Sequence, residues 1–341
     1  MYHILMEALS DTFPKVAVIG GGSFGTAVVK MVSENTGVCR WWMHNEESAA
    51  HIREYHHNPR YLSSVTFDEG SVDIVTDINA AIAGCDIVIF AVPSAFVKEV
   101  LLNMNKGALD GKLVCSTIKG IIPDENMIVG EYLREVVGVP EDHIVVITGP
   151  CHAEEIALER LSFLTVAALE ASASKKVASV LQSHYVRCTL SKDIYCTEYA
   201  AVMKNIYAIA AGMCHGLGYG DNFQAVLISN AAREMRRFMK STCEGRINIK
   251  KSAYLGDLLV TCYSQFSRNR MLGNMLGKGY TIKSAKAEMT MVAEGYYAAA
   301  LVAKIRKKQE VRMPIVKAVY DVMYEGKSAK KTMAKLAQKL N

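Results

Sequence analysis

Two hydropathy patterns divide the chain. In the first half, short continuous apolar runs alternate with stretches of helical period: Val16–Ile19, Val38–Met43, Ile74–Val75, Ile87–Val92, Leu113–Ser116, Ile144–Ile147 and Leu164–Ala168. Continuous rather than alternating apolar character is expected of strands whose two faces are both covered by helices. Ser48–Tyr55 and Phe96–Leu102 read as connecting helices. Strand-then-helix alternation predicts an α/β architecture with a doubly wound, mostly parallel sheet. From Glu198 to Leu340 the strand signals nearly vanish, and segments such as Tyr199–Gly212 and Phe223–Lys240 carry helical spacing, which predicts an all-helical C-terminal domain. The change falls at Ser191–Glu198, giving domains of 1–196 and 197–341.

The first apolar run leads straight into Gly20-Gly-Gly22-Ser23-Phe24-Gly25, and a helical pattern follows from Thr26. Strand, Gly-x-Gly-x-x-Gly, helix is the arrangement that binds a dinucleotide. Gly20 permits the tight turn, Gly22 lets a pyrophosphate approach the backbone, and Gly25 lets the helix pack close to the strand. The first domain is therefore expected to be Rossmann-type. NAD preference usually comes from a carboxylate at the end of the second strand, about 20 residues beyond the glycines. Here that strand ends in His44-Asn45, and Glu46 follows later. His44, with Arg40 or Arg53 nearby, could accept a 2′-phosphate, so NADP(H) or NAD(H) is expected, with no strict preference for NAD.

Composition narrows the partners. The net charge of +5 is mild and dispersed, which does not point to a nucleic-acid binder but suits a small anionic substrate. No apolar run reaches the roughly 18 residues of a membrane span. Met1–Pro14 lacks a basic start and contains Glu7 and Asp11, unlike a signal peptide. The nine cysteines are scattered, without C-x-x-C, and Cys39, Cys85, Cys115, Cys196 and Cys262 sit in apolar surroundings. Buried free thiols in a reducing cytoplasm are expected. His56-His57 lacks the spacing and acidic company of a metal site, so no metal is expected. The lysine-rich end from Lys327 to Lys339 places Met333, Leu336 and Leu340 at helical spacing, as in a terminal helix with a solvated basic face.

Polar clusters in apolar contexts are the candidate chemistry. Ser116-Thr-Ile-Lys119-Gly120 and Thr148-Gly149-Pro-Cys151-His152-Ala153 each follow a strand, where α/β sheets place ligands. Lys204-Asn205 interrupts an apolar helix. Taken alone, such a lysine usually snorkels to the surface, but one buried near a carboxylate and a cofactor can exchange protons. Asp257 is an acid flanked by apolar residues, and Ser267-Arg268-Asn269 offers a hydroxyl, a guanidinium fork and an amide suited to phosphate. Cys151-His152 is not read as a nucleophile–base pair, because adjacent residues seldom point at each other.

Together these motifs resemble the bacterial NAD(P)-dependent glycerol-3-phosphate dehydrogenases over nearly the whole chain. The resemblance is carried by Gly20–Ala27, Ala91-Val-Pro-Ser94, Lys119-Gly120, Gly149-Pro150 with Ala153-x-Glu155, Lys204-Asn205, Gly256-Asp257-Leu258, Ser267-Arg268-Asn269 and Glu294-Gly295-Tyr296. It implies that Lys204 is the catalytic lysine, with Asp257 and Lys119 setting its charge state. It places Gly149, Cys151, Ser267, Arg268 and Asn269, with Lys119, Lys204 and Asp257, on the substrate. It places Gly20, Gly22, Ser23, Phe24, Gly25, His44, Lys119, Ala153, Arg268, Val292 and Glu294 on the cofactor. The chain departs from the family at Cys151-His152, where a hydroxyl and an aromatic residue are usual, and at Val292-Ala293-Glu294-Gly295, which carries one residue more than the usual Val-Glu-Gly. The implied reaction is reversible reduction of dihydroxyacetone phosphate to sn-glycerol 3-phosphate for glycerophospholipid synthesis, in a cytoplasmic homodimer. The rivals are a related two-domain hydroxy-acid dehydrogenase and a nucleotide-sensing protein without catalysis.

Overall fold

The computed structural model describes residues 13–243, 247–289 and 293–341. The chain forms two compact units: Met1–Ile118 with Val129–Ile194, and Lys119–Ile128 with Tyr195–Asn341.

The first unit holds an eight-stranded sheet. Its strands are β1 (Val16–Ile19), β2 (Cys39–Trp42), β3 (Val72–Val75), β4 (Ile87–Phe90), β5 (Leu113–Ser116), β8 (Ile144–Thr148), β9 (Ser162–Ala168) and β10 (Val186–Ser191), with β6 (Ile121–Ile122) and β7 (Met127–Ile128) forming a separate hairpin. The spatial order is β10-β9-β8-β5-β4-β1-β2-β3, and every neighbouring pair is parallel except β8–β9. All seven expected strands are present, and β10 adds an eighth. It escapes the hydropathy pattern because it lies at the sheet edge, where Arg187, Thr189 and Leu190 are exposed. The chain enters at β1, runs outward through β2 and β3, then returns to β4 on the other side. The topological switch therefore lies between β1 and β4, and the C-terminal ends of these strands form the crevice where such sheets bind ligands. Helix α1 (Ser23–Thr36) follows β1 after only Gly20-Gly21-Gly22, and α2 (Glu46–Tyr55) follows β2.

Among the described residues the second unit is helical apart from the β6–β7 hairpin. That hairpin lies inside the stretch expected to be dinucleotide-binding, yet its Ile121 and Ile128 are buried in the second unit's core. The main helices are α3 (Ile194–Gly216), α4 (Asp221–Thr242), α5 (Asp257–Tyr263), α6 (Arg268–Gly277), α7 (Gly295–Lys308), α8 (Pro314–Met323) and α9 (Ala329–Ala337). From Tyr199 to Cys214 every residue of α3 is buried, the mark of a central helix packed on all sides. Helix α6 lies directly against it through glycines. A Cβ at Gly212 would fall 2.0 Å from the Arg270 carbonyl oxygen, and one at Gly273 would fall 2.0 Å from that of Ile209. The two helices touch backbone to backbone, leaving little freedom in their separation. In α9, Met333 and Leu336 are buried while Lys330, Lys331 and Lys335 face outward.

Cysteine usage departs from expectation at one pair. Cys39, Cys85, Cys115 and Cys262 are free and buried, but Cys196 is bonded to Cys243, with Cα atoms 5.9 Å apart. The bond ties the start of α3 to the end of α4, a juxtaposition that a separation of 47 residues does not disclose. No helix among the described residues is long and apolar enough to cross a membrane. Among the described residues no group of three or more His, Cys, Asp or Glu side chains could hold a metal ion.

Candidate active site

In the first unit the three fingerprint glycines are required for three different reasons. Gly20 has φ +125°, and a Cβ there would sit 2.7 Å from the Ala91 carbonyl oxygen. Gly25 sets the approach of α1 to the loop, since its Cβ would fall 2.1 Å from the Gly20 carbonyl oxygen. Gly22 has φ −79° and ψ −179°, open to any residue, and a Cβ there would meet nothing within 4 Å. Neither the backbone nor the protein's own packing demands a glycine at 22. Close approach of a ligand does, and the N-terminus of α1 begins at the next residue, Ser23, where anions are favoured. The site therefore fits a dinucleotide pyrophosphate.

Other expected cofactor residues also lie in this unit. Phe24 packs half-buried against its core, and His44 is exposed just past β2. The two arginines near His44 are already engaged. The Arg40 Nε donates to Asp73 at 3.1 Å and its Nη1 to the Ala83 carbonyl at 2.7 Å, while Arg53 pairs with Glu46 at 2.7 Å. His44 is exposed to solvent, whereas both arginines are paired with carboxylates. Gly149 follows β8, which runs parallel to β5, so it lies at the same end of the sheet as the glycine loop. Cys151 and Ala153 beside it are buried in the core.

In the second unit the structure brings Lys119, Lys204 and Asp257 together. Lys204 and Asp257 are 5% and 1% exposed, and the lysine Nζ is ion-paired with Asp257 Oδ1. Lys204 comes from the middle of α3, and Asp257 opens α5 after the apolar turn Ser252–Gly256. Burial pushes the Lys204 amine down to about 8; Asp257 opposes this shift and the nearby Lys119 ammonium adds to it. The second carboxylate oxygen, Oδ2, is buried and has no hydrogen-bond partner among the described residues. A buried acceptor left without a donor is costly.

Further bonds brace this centre. The Asn205 amide donates to the Lys119 carbonyl at 2.6 Å, fixing the start of the hairpin against α3. Ser267 caps α6, with its Oγ accepting from the Arg270 N–H. Arg268 is half-buried in the first turn of that helix. The Asn269 Oδ1 accepts the Gly295 N–H at 2.9 Å, which joins Glu294-Gly295 at the start of α7 to the start of α6. Val292 lies outside the described residues. Hydropathy and motif reading missed the α3–α6 glycine contact, although the four-residue spacing of Gly212 and Gly216, repeated in Gly273 and Gly277, could have signalled it. It also missed Asn58, which has no periodic signature.

A switch-point glycine loop beside a helix N-terminus defines a dinucleotide-binding protein. A buried amine lowered to about 8 beside a buried carboxylate, on the same chain, is the pairing expected of an oxidoreductase that moves a proton with a hydride. Residues 15–174 match the family model "NAD-dependent glycerol-3-phosphate dehydrogenase N-terminus" and residues 193–334 match the C-terminus model of the same family. The chain belongs to the NAD-dependent glycerol-3-phosphate dehydrogenase family. It is 34% identical over 322 residues to the glycerol-3-phosphate dehydrogenase [NAD(P)+] of Oceanobacillus iheyensis, covering 94% of this chain and 93% of that one. It is 35% identical over 325 residues to the Pseudomonas aeruginosa enzyme of the same name, covering 95% and 93%. The crystal structure of glycerol-3-phosphate dehydrogenase from Coxiella burnetii superposes with a TM-score of 0.87 at 26% identity, covering 95% of this chain and 98% of that chain.

Proposed function

We propose that this chain reduces dihydroxyacetone phosphate to sn-glycerol 3-phosphate with NADPH or NADH, and catalyses the reverse reaction. The observation that carries the reading is the buried Lys204–Asp257 pair with its open carboxylate oxygen. The reduced nicotinamide supplies the hydride. The chain supplies the proton: the Lys204 ammonium delivers it to the carbonyl oxygen as negative charge develops there, and the neutral amine takes it back in the oxidative direction. Asp257 Oδ1 orients the ammonium, and Oδ2 accepts from a substrate hydroxyl. Lys119 adds positive charge, which lowers the Lys204 amine toward the range where both directions run. By the family resemblance, Ser267, Arg268 and Asn269, with Gly149 and the Cys151 backbone, contact the substrate's hydroxyl and phosphate groups. The glycine loop, Ser23, Phe24, His44, Ala153, Val292 and Glu294, with Lys119 and Arg268, hold the cofactor.

The product is the backbone that acyl groups are added to in glycerophospholipid synthesis, and the dependence on a nicotinamide pool supports a cytoplasmic location. Exposed Leu259, Tyr263, Phe266 and Met271 in the helical unit supply apolar surface for a homodimer.

Mixing purified protein with dihydroxyacetone phosphate should consume nicotinamide absorbance with NADPH, NADH or both, and the rate ratio reads the preference set at His44. Absence of turnover with either cofactor would overturn the assignment. Arg268→Ala is expected to raise KM for dihydroxyacetone phosphate by about 30-fold or more through loss of a charge-assisted fork, with a smaller fall in kcat. Steady-state kinetics checks this, and an unchanged KM would remove Arg268 from the phosphate.

A further inference from the structure

We propose that Asn58 is a positioning residue for the dinucleotide pyrophosphate: its side-chain amide holds the glycine-rich loop with its N–H groups turned outward. The inference rests on the dinucleotide reading of that loop and adds a residue that lies outside the fingerprint.

Asn58 follows α2, in the segment where His57 pairs with Thr66, and it is 1% exposed. Its amide is fully used. Nδ2 donates to the Gly21 carbonyl at 3.0 Å and to the Thr26 hydroxyl at 2.8 Å. Oδ1 accepts from the N–H groups of Arg60 and Tyr61 at 3.0 and 3.2 Å. The Thr26 hydroxyl, accepting from Asn58, passes its own proton on to the Gly22 carbonyl at 3.0 Å. The preceding carbonyl, that of Gly20, accepts from Trp41 Nε1 at 2.9 Å.

Three consecutive carbonyls of the loop are therefore tied back to the protein. In a planar trans peptide the C=O and the following N–H point in opposite directions. Tying back the carbonyls of Gly20, Gly21 and Gly22 turns the N–H groups of Gly21, Gly22 and Ser23 the other way, toward the open side where a Cβ on Gly22 would meet nothing. Successive outward N–H groups at a helix start form an anion cradle. Trp41 and Thr26 lie on the elements flanking the loop, whereas Asn58 reaches it from 37 residues away and engages both the middle carbonyl and the relay hydroxyl. Without that amide the Gly21–Gly22 peptide loses the side-chain anchor that holds its carbonyl, and a flip would present a carbonyl oxygen to the phosphates.

The test is titration of NADPH and NADH by nicotinamide fluorescence, with steady-state kinetics, on the wild-type chain and on Asn58→Ala, Asn58→Asp and Thr26→Val. Asn58→Asp keeps the acceptor for Arg60 and Tyr61 while removing both donors, so the test survives if the alanine variant fails to fold. The expected result is a rise of about tenfold in cofactor Kd and KM, with kcat at saturating cofactor and KM for dihydroxyacetone phosphate within about twofold of wild type. Asp77→Ala, which removes the cap of the helix Ile78–Ile82 in the same unit, should lower stability without that selective loss. Unchanged cofactor affinity in Asn58→Asp overturns the proposal. So does a fall in kcat with a rise in both KM values that merely tracks melting temperature. Failure of the wild-type chain to bind either cofactor is a different result, because it removes the dinucleotide reading itself.

Discussion

Lys204→Ala is expected to lower kcat by about a thousandfold, within the range removed with a general acid, while the Kd for NAD(P)H stays close to wild type. The same change leaves Asp257 buried, 1% exposed, without its counter-ion. Breaking a buried pair from one side costs about 3–5 kcal/mol, so the variant should also melt earlier. The double variant Lys204→Met with Asp257→Leu removes the stranded charge. It should recover much of the stability and none of the activity, which separates chemistry from folding. The pH dependence follows from the amine's depression to about 8. Reduction needs the ammonium, so its rate should fall as pH rises past about 8, whereas oxidation needs the free amine and should rise over the same interval. Asp257 favours the ammonium, so Asp257→Asn should move both limbs to lower pH. The sign for stability is also determined. The folded chain binds this proton less tightly than the unfolded chain, so the penalty of burying the charge is relieved as pH rises from about 8 through 10.5. Near-normal kcat in Lys204→Ala would remove the lysine from the reaction.

A second contrast should be as large and concerns the glycine loop. Gly25→Ala is expected to cost about 3 kcal/mol or more, because its Cβ would fall 2.1 Å from the backbone oxygen of Gly20, an atom that can move only with the loop and the strand behind it. Gly22→Ala should leave thermal stability within about 0.5 kcal/mol of wild type, since φ and ψ suit alanine and its methyl meets no protein atom within 4 Å. Cofactor affinity should nevertheless fall by roughly tenfold or more, as the methyl occupies the space where the pyrophosphate comes close to the backbone. Circular dichroism melts with fluorescence titration test both. Equal cofactor affinity in wild type and Gly22→Ala would mean that the pyrophosphate lies elsewhere.

The site was unevenly legible. Gly20, Gly22 and Gly25 announce themselves because their spacing is local and each glycine serves a turn or a close approach. Lys204 and Asp257 stand out as charges in apolar company, but nothing in a separation of 53 residues says that they meet. The partner of Cys196, the anchoring of Arg40 on Asp73, the packing of the 119–128 hairpin into the second core and the tether from Asn58 to Gly21 are equally silent. Each is a contact between segments far apart in the chain, made by residues that carry no periodic signature of their own.

The amino-acid sequence by itself determined the elements and the kind of chemistry. Continuous apolar runs must be covered on both faces, helical spacing must bury one side, and a glycine fingerprint between strand and helix leaves room for phosphate. Those are short-range demands, and they hold whatever the rest of the chain does. Only the tertiary structure decided the edge strand β10, the backbone contact of α3 with α6, the depressed amine of Lys204, and the direction in which the loop's N–H groups face. These depend on burial and on partners brought from elsewhere, and desolvation, ion pairing and carbonyl anchoring exist only once distant segments have been packed together.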